Sequence, residues 1–227
     1  SDGLWTDKKP LVNQETIVEY VVPGSYSVTE DAKEGWRLSS ISCTDSDSTV
    51  DTSNQNKVNI NVSNKEDVTC TFTNEKLGRI YGYKYEDSDG DGTWDTGEVA
   101  LKDWKIMLND LSSTSSTQTS TTTDDNGFYE FKDLIPDHNY TVTEESKISW
   151  TQTSLTPSSI LIEPGSDIKV NFGNFKNASI TVHKTVLDIN GNGVYDDSRG
   201  FVVSLKKNGK VISSTDPVYV SMSTNPT

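Results

Sequence analysis

The chain has 227 residues, of which 32% are hydrophobic, and its 34 acidic and 20 basic side chains give a net charge of −14. This acidic balance argues against nucleic acid and anionic membranes as partners, because both need basic surface. No run of 18 apolar residues occurs, so the sequence predicts no membrane span in this segment.

Short runs of alternating apolar and polar residues dominate the chain, and long helical periodicity is absent. β-branched and aromatic residues fill these runs, and clusters of Gly, Pro, Asn and Asp separate them. The low hydrophobic content suits thin sandwiches, in which each strand buries every second side chain. The pattern therefore predicts an all-β sandwich fold.

Internal repeats set the predicted layout. The full order is a first strand with a lysine, an acidic Gly-rich loop, middle strands, a Tyr-x-Val-Thr-Glu strand and a last strand with Phe-x-Asn. Only residues 77–175 contain this whole order; residues 1–76 carry its back half and residues 176–227 its front half. The matched segments, at offsets of 114 or 100 residues, are Tyr26–Glu30 with Tyr140–Glu144, Trp36 with Trp150, Phe72–Asn74 with Phe172–Asn174, and Ile80 and Lys84 with Ile180 and Lys184.

The back half contains the two cysteines of the chain, Cys43 and Cys70, both in strand-like runs. Two cysteines in a Thr-, Ser- and Asn-rich chain fit one disulfide formed in an oxidising compartment. Two buried free thiols are the alternative.

The acidic loop at 87–98 matches a twelve-residue calcium loop. Gly92 stands at position 6, where the chain must turn sharply, and β-type sequence on both sides places the loop between two strands. We expect a static Ca²⁺ that stiffens the module. The predicted ligands are Asp87, Asp89, Asp91, Thr93 through its carbonyl, Asp95 and Glu98.

A second loop at 188–199 keeps positions 1, 3, 5, 6 and 9 of the same pattern. Position 12 is Arg199, so the bidentate carboxylate is lost unless Asp197 replaces it, and we expect weaker calcium binding. The predicted ligands are Asp188, Asn190, Asn192, Val194 through its carbonyl, and Asp196.

Lys84, Glu144 and Asn174 occupy three matched places of the complete module. If they meet inside a sandwich, burial lowers the pKa of the lysine and raises that of the glutamate. The neutral amine can then attack the Asn174 carboxamide while protonated Glu144 polarises it, so that ammonia leaves and an isopeptide bond remains. The residue types alone favour the alternative of an exposed lysine and glutamate with an asparagine capping a turn, because lysine and glutamate are usually exposed.

Several motifs carry a resemblance to a known family. They are Ile80-Tyr-Gly-Tyr-Lys-Tyr-Glu-Asp-Ser-Asp-Gly-Asp-Gly-Thr-Trp-Asp-Thr-Gly-Glu98, Thr123-Asp-Asp-Asn-Gly-Phe-Tyr-Glu-Phe131, Tyr140-Thr-Val-Thr-Glu144 and Asn171-Phe-Gly-Asn-Phe175. With them, residues 78–175 resemble the calcium-binding B-type repeats of large bacterial and archaeal surface proteins, the serine-aspartate-repeat, prealbumin-like group. Residues 1–76 resemble the back half of a related module, and residues 177–205 its front half.

This resemblance implies an all-β chain of tandem immunoglobulin-like or prealbumin-like β-sandwich modules, one complete and two partial. Collagen-adhesin B-type relatives carry internal Lys–Asn isopeptide bonds beside a catalytic glutamate. The corresponding positions are Lys84, Asn174 and Glu144, so the resemblance implies the crosslink. It also implies an extracellular location, on a cell surface or in a surface filament.

The two half-modules are complementary, since the front half offers Lys184 and the back half offers Glu30 and Asn74. They could belong to one period of a longer array, or result from arbitrary boundaries. They could also join head-to-tail between subunits, a heterologous contact that propagates by strand complementation. We favour the last, because an isolated half-sandwich exposes unpaired strand edges. It predicts a Lys184–Asn74 amide formed beside Glu30, with neighbouring copies or adjacent repeats as partners.

Other functions fit the sequence less well. His138 and His183 lie in unlike contexts and neither adjoins a serine in a nucleophile elbow, so we predict no enzyme. Dockerin modules also carry two calcium loops, but theirs flank helices. The main alternative is the stalk or ligand-binding region of an adhesin, with a host or glycan ligand. Five tryptophans could line a sugar groove: Trp5, Trp36, Trp94, Trp104 and Trp150.

Overall fold

A computed structural model describes residues 10–51, 56–113, 118–183 and 204–211. Within these ranges the regular structure is entirely β, in sixteen strands. No helix of the described ranges could span a membrane. The predicted all-β fold of sandwich modules is confirmed.

The first five strands pair only with one another in the described part of the chain. Their bounds are β1 Gly24–Thr29, β2 Trp36–Cys43, β3 Thr49–Val50, β4 Lys57–Val62 and β5 Cys70–Lys76. β4 lies between β1 and β3, and β2 pairs antiparallel with β5. Cys43 and Cys70 lie opposite each other at one end of this ribbon and form the predicted disulfide.

The next nine strands form two sheets. Their bounds are β6 Gly78–Glu86, β7 Lys105–Asp110, β8 Thr119–Thr122, β9 Phe128–Leu134, β10 Asn139–Glu144, β11 Trp150–Gln152, β12 Ile160–Leu161, β13 Asp167–Lys169 and β14 Phe172–Lys176. One sheet has the order β12-β10-β7-β8. The other has the order β11-β14-β6-β13, with β9 also paired to β6. The first strand β6 therefore lies directly beside the last strand β14, and the two run parallel.

Both sheets contribute to one core, because alternate residues of each strand point inwards. Ile106 and Leu108 alternate along β7, and Tyr140 and Val142 along β10. The buried cluster consists of Ile80, Trp104, Ile106, Leu108, Tyr129, Phe131, Leu134, Tyr140, Val142, Ile160, Ile162, Val170 and Phe172. Its position between the sheets determines which polar side chains lose contact with water.

Gly82 shows how closely the strands approach each other within this module. A Cβ atom at this position would collide with the carbonyl oxygen of Val170. Because glycine has no side chain, the backbone before β14 can lie against β6. In the resulting register, Lys84 lies opposite Phe172.

The last described segment is a short hairpin of β15 Lys206–Lys207 and β16 Lys210–Val211. Asn208 and Gly209 connect the two strands with φ angles of 51° and 79°. These positive values are those of the Asn-Gly turn that joins tight hairpins.

Candidate crosslink and cation sites

The three side chains predicted to react lie together between the two sheets. Lys84 is on β6, Glu144 ends β10 in the other sheet, and Asn174 is on β14 beside β6. The Lys84 Nζ is 3.4 Å from Glu144 Oε2, and Asn174 Nδ2 donates a 2.7 Å hydrogen bond to Glu144 Oε1. The side chains of Lys84 and Glu144 are 0% and 5% exposed, and Asn174 is 2% exposed. The alternative of exposed strand residues is therefore wrong for this module.

Burial brings the proton affinities of the lysine and the glutamate closer together. Loss of water lowers the pKa of Lys84 to about 8, although the neighbouring Glu144 carboxylate opposes the shift. The same loss of water raises the pKa of Glu144, against the opposing charge of Lys84 and the hydrogen bond from Asn174. Transfer of a proton from the ammonium to the carboxylate is therefore easier here than in water.

The aromatic ring of Trp104 packs against the Lys84 amine. The Nζ donates a 3.1 Å hydrogen bond to the Phe172 carbonyl and lies 4.4 Å from the centroid of the Trp104 ring. Trp104 is 2% exposed, and its Nε1 donates a 2.9 Å hydrogen bond to the Glu145 carbonyl. This tryptophan therefore fixes the position of the amine, and it does not line a surface groove.

Asn174 Oδ1 is buried without a hydrogen-bond partner, whereas Glu144 Oε2 faces the Lys84 ammonium at 3.4 Å. An unpartnered buried acceptor costs about 1–3 kcal/mol. Half a turn of the Asn174 amide leaves its shape unchanged and exchanges its oxygen and nitrogen. In that orientation Oδ1 accepts the proton of a protonated Glu144, which polarises the carboxamide carbon towards the amine.

The acidic loop follows β6 and is organised around the buried carboxylate of Asp87. Its two oxygens accept hydrogen bonds of 2.7 Å from the backbone N–H groups of Gly90 and Gly92. Oxygens of Asp87, Asp89 and Asp91 all lie within 4.8 Å of one another. Three converging carboxylates are hard oxygen donors of the kind that Ca²⁺ prefers, so these residues fit the ion.

Two further predicted carboxylate ligands of this loop, Asp95 and Glu98, lie outside the three-carboxylate cluster. Glu98 accepts backbone hydrogen bonds from Ser88 at 2.7 Å and from Asp95 at 3.0 Å, which closes the loop. The Thr93 hydroxyl donates to Asp91 at 2.6 Å. The structure thus brings together positions 1, 3 and 5 of the motif, whereas Asp95 and Glu98 do not join them.

The back half contains a counterpart of the buried pair. Asn74 Nδ2 donates a hydrogen bond of 2.7 Å to Glu30 Oε1, as Asn174 does to Glu144. Here the pair is open to solvent: Asn74 is exposed and Glu30 is half-buried.

The predicted partner of this second pair, Lys184, lies outside the described residues. So do the predicted calcium ligands of the second loop, Asp188, Asn190, Asn192, Val194 and Asp196.

Two family models match the chain. Residues 5–76 match the prealbumin-like fold domain, and residues 78–185 match the SdrD B-like domain. The second match includes the crosslink triad and the acidic loop described above. We call the two matched regions the prealbumin-like domain and the SdrD B-like domain after these models. The resemblance predicted from the sequence motifs is confirmed for both regions.

Curated relatives of the SdrD B-like domain come from Staphylococcus aureus. Serine-aspartate repeat-containing protein E of strain MSSA476 is 36% identical over 103 residues, which are 44% of this chain and 9% of that protein. The bone sialoprotein-binding protein of strain MRSA252 shows the same identity and coverage. The chain thus spans about a tenth of the length of these relatives. The matches confirm an extracellular location on a surface or in a filament, and both matched families are structural domains of pilins and adhesins.

Similar solved structures include two pilins. A shaft pilin from Lactobacillus rhamnosus GG has a TM-score of 0.35 and 12% identity, over 45% of this chain and 52% of that chain. The group B streptococcus pilus 2b backbone protein has a TM-score of 0.34 and 13% identity, over 69% of this chain and 53% of that chain.

Sequence reasoning missed one acidic cluster in the prealbumin-like domain. Oxygens of Asp45, Asp47 and Glu66 lie within 4.8 Å of one another. Two separate turns supply these residues, so no continuous loop motif identifies them. Exposed acidic groups often gather without an ion, and we assign no site here.

Lys147 is a second residue of the SdrD B-like domain that the sequence did not indicate. Its Nζ lies 4.4 Å from the centroid of the Trp104 ring, the same distance as Lys84, and it donates a 2.9 Å hydrogen bond to the Asp103 carbonyl. Burial is the larger cause of the lowered pKa of Lys84, and the positive charge of Lys147 lowers it further. Burial also raises the pKa of Glu144, and the charge of Lys147 opposes that rise. A lysine three residues beyond the Tyr-x-Val-Thr-Glu motif was the available signal.

Proposed function

We propose that this chain is a load-bearing segment of an extracellular stalk or filament, locked by an isopeptide bond between Lys84 and Asn174. The observation that carries the proposal is the burial of Lys84, Glu144 and Asn174, with the lysine and the asparagine each within hydrogen-bonding distance of the glutamate. A buried lysine and glutamate are rare in proteins. The free-energy cost of burying these two charged side chains is explained if the site forms a covalent bond.

The proposed reaction is a single condensation. Lys84 passes a proton to Glu144, and the free amine attacks Cγ of Asn174 while protonated Glu144 hydrogen-bonds to Oδ1. The Cγ–Nδ2 bond then breaks, and Nδ2 leaves as ammonia after taking a proton from the attacking nitrogen through the Glu144 carboxyl. One amine and one carboxamide thus become one secondary amide and one ammonia, and no oxidant or cofactor is required.

The position of the bond explains its mechanical value. The chain enters the SdrD B-like domain on β6 at Gly78 and leaves it on β14 at Lys176. These two strands are adjacent and parallel, with Lys84 opposite Phe172. A covalent link between them carries tension directly from entry to exit, so the strands between them need not unfold under load.

A calcium ion fits the same role. Asp87, Asp89 and Asp91 would hold it, and the ion would supply the positive charge that offsets repulsion among three gathered carboxylates. The loop begins immediately after β6, so its rigidity extends the stiff crosslinked region. Host or glycan binding, as in a ligand-binding region of an adhesin, stays a prediction for which the described residues offer no specific contact.

Intact mass spectrometry under denaturing, calcium-free conditions tests the crosslink. We expect the mass to fall short of the sequence mass by one ammonia, with Lys84 and Asn174 recovered in one branched peptide. Lys84→Arg should restore the full mass, and the matched control Lys105→Arg, on strand β7 of the other sheet, should not. Full mass in the unmodified chain would refute the proposal.

A further inference from the structure

We infer that Lys147 is a positioning residue for the proposed condensation: its ammonium group, on the same Trp104 ring as that of Lys84, repels positive charge from the reacting pair and moves the reaction to lower pH. The inference rests on the proposed function, because it concerns the same bond between Lys84 and Asn174. Within the described residues Lys147 pairs with neither Glu144 nor Asn174, so it acts through the charge that it places near them.

The first observation is that two lysine ammonium groups lie against one aromatic ring. The Nζ atoms of Lys84 and Lys147 are each 4.4 Å from the centroid of the Trp104 ring. The two nitrogens are therefore separated by no more than twice that distance. The face of a tryptophan attracts a cation, but two cations this close repel each other where little water screens them. Before the reaction the site thus holds two ammonium groups and one carboxylate.

The second observation is that Lys147 is held beside the ring from outside the triad. Its Nζ donates a 2.9 Å hydrogen bond to the carbonyl oxygen of Asp103, the residue before Trp104. The N–H of Asp103 in turn donates a 3.0 Å hydrogen bond to the Thr123 carbonyl. The segment of Lys147 also accepts a bond from the ring, since Trp104 Nε1 donates to the Glu145 carbonyl at 2.9 Å. The ammonium and the ring therefore keep one relative position.

The third observation is the unequal exposure of the two lysines. The side chain of Lys84 is 0% exposed, whereas Lys147 is half-buried. Loss of water penalises the charged form of an amine, so the proton leaves Lys84 first. Lys147 keeps contact with water and a carbonyl acceptor, and it stays the cation of the pair. This difference assigns the role of nucleophile to Lys84.

Other ionisable groups also face the Lys84 amine in the described residues. Glu144 of β10 and Asp87, which follows β6, both favour its positive charge. Tyr129 of β9 lies near Glu144, and burial raises the pKa of its hydroxyl so far that it stays neutral. β14 presents uncharged groups to this site. Among these groups Lys147 alone disfavours a positive charge on Lys84.

The charge balance of the site changes during the reaction. When a proton moves from Lys84 to Glu144, the positive charge leaves the Trp104 ring and its repulsion with Lys147 ends. The neutral amine attacks Cγ of Asn174, the Cγ–Nδ2 bond breaks, and one ammonia leaves. Lys147 is then the cation that remains near Glu144, where its charge favours the carboxylate form.

The pH dependence of crosslinking separates this charge effect from an effect on packing. The reactive pair shares one proton, so the rate should fall in acid, when Lys84 and Glu144 both carry a proton, and in alkali, when neither does. The charge of Lys147 lowers the pKa of both groups, so its removal should move both limbs of the profile to higher pH. A loss of packing alone would slow the reaction at every pH.

Two variants at this position make the test. Lys147→Met removes the charge and Lys147→Arg retains it. Unreacted full chain, taken into denaturant directly after cell-free synthesis, is refolded by dilution at a series of pH values, and intact mass follows the loss of ammonia with time. We expect Lys147→Met to move both limbs up by about one pH unit. At a fixed pH the reaction should then be about tenfold slower on the acid limb and about tenfold faster on the alkaline limb.

Lys147→Arg should keep the profile of the unmodified chain. Lys102→Met is the matched control for loss of a lysine charge, because the Lys102 side chain is 62% exposed and pairs with Asp125 at 3.0 Å. It should leave both limbs in place. Limbs that do not move in Lys147→Met, or that move equally in Lys147→Arg, overturn the inference.

The titration of Lys84 gives a second readout that needs no reaction. In the Asn174→Ala variant, which cannot crosslink, NMR of isotope-labelled lysine should show the pKa of Lys84 rising by about one unit when Lys147→Met is added. An unchanged pKa overturns the inference. An unmodified chain that loses no ammonia at any pH refutes the proposed function and this inference with it, whereas ammonia loss with unmoved limbs refutes this inference alone.

Discussion

The backbone N–H of Asp87 donates a 2.9 Å hydrogen bond to the backbone carbonyl of Asn174. Asp87 is the first predicted calcium ligand, and Asn174 is the residue proposed to form the amide. A neighbouring backbone bond also holds β14, because the N–H of Thr153, the residue after β11, donates to the Gly173 carbonyl at 2.9 Å. The cation loop and the crosslink strand are therefore held in one hydrogen-bond network.

This contact predicts that calcium speeds crosslink formation. An ordered loop holds β14 in register with β6 and so keeps Asn174 near Lys84. Chain made by cell-free synthesis in a chelator should lose ammonia slowly, and added Ca²⁺ should speed that loss by about tenfold or more, the effect of about 1.4 kcal/mol in the barrier. Time-resolved intact mass measures both rates.

Asp91→Asn should abolish the calcium effect, because it removes a charge from the three-carboxylate cluster. Asp125→Asn is the matched control: its carboxylate is 85% exposed and pairs with Lys102 away from the loop. Equal rates with and without calcium in the unmodified chain would contradict the coupling.

Glu144→Gln should stop the crosslink and destabilise the SdrD B-like domain. The change removes the proton carrier and leaves the Lys84 ammonium buried without its counter-charge. Breaking a buried ion pair costs about 3–5 kcal/mol, and the loss of the crosslink adds to that. Calorimetry should show a lower Tm, and mass spectrometry should show no ammonia deficit. Glu145→Gln, one residue further along and outside the triad, should change neither.

In an Asn174→Ala variant, which cannot crosslink, stability should depend on alkaline pH. Burial lowers the pKa of Lys84 to about 8 in the folded chain, from its usual 10.5. Between these values the unfolded chain binds more protons, so the free energy of unfolding should rise as the pH rises from about 8 to 10.5. Below pH 8 both states are protonated, and the penalty is fully present.

Urea unfolding at a series of pH values measures this rise. Adding Lys84→Met to the same variant should remove it, because no amine is left to titrate. A rise that persists in the double variant would show that another group causes it.

The disulfide should stabilise the prealbumin-like domain independently of the crosslink. Cys43 and Cys70 are 27 residues apart, and closing a loop of that size is worth about 3.5 kcal/mol in the chain-entropy treatment. A Cys43→Ser, Cys70→Ser double variant should lower the Tm of this domain and leave that of the SdrD B-like domain in place. A single transition shifted as a whole would contradict independent unfolding.

The sequence by itself determined the fold class and which metal-binding and reactive groups are present. Alternating short runs predict strands because side chains of a strand point to opposite faces in turn, and the sixteen strands follow. The spacing of Asp87, Asp89 and Asp91 specifies a tight loop, since local backbone geometry depends on neighbouring residues. The Cys43–Cys70 disulfide was predictable because the chain has no other cysteine with which either could pair.

Only the tertiary structure decided which of two matching motifs has a buried asparagine. Glu144 and Glu30 both end a Tyr-x-Val-Thr-Glu motif, yet Asn174 beside Glu144 is 2% exposed while Asn74 beside Glu30 is exposed. The difference comes from β6 and β7, strands distant in sequence that cover one pair and have no described counterpart over the other. Burial is a property of packed layers, so a motif alone cannot determine whether its lysine, glutamate and asparagine lose water and become able to react.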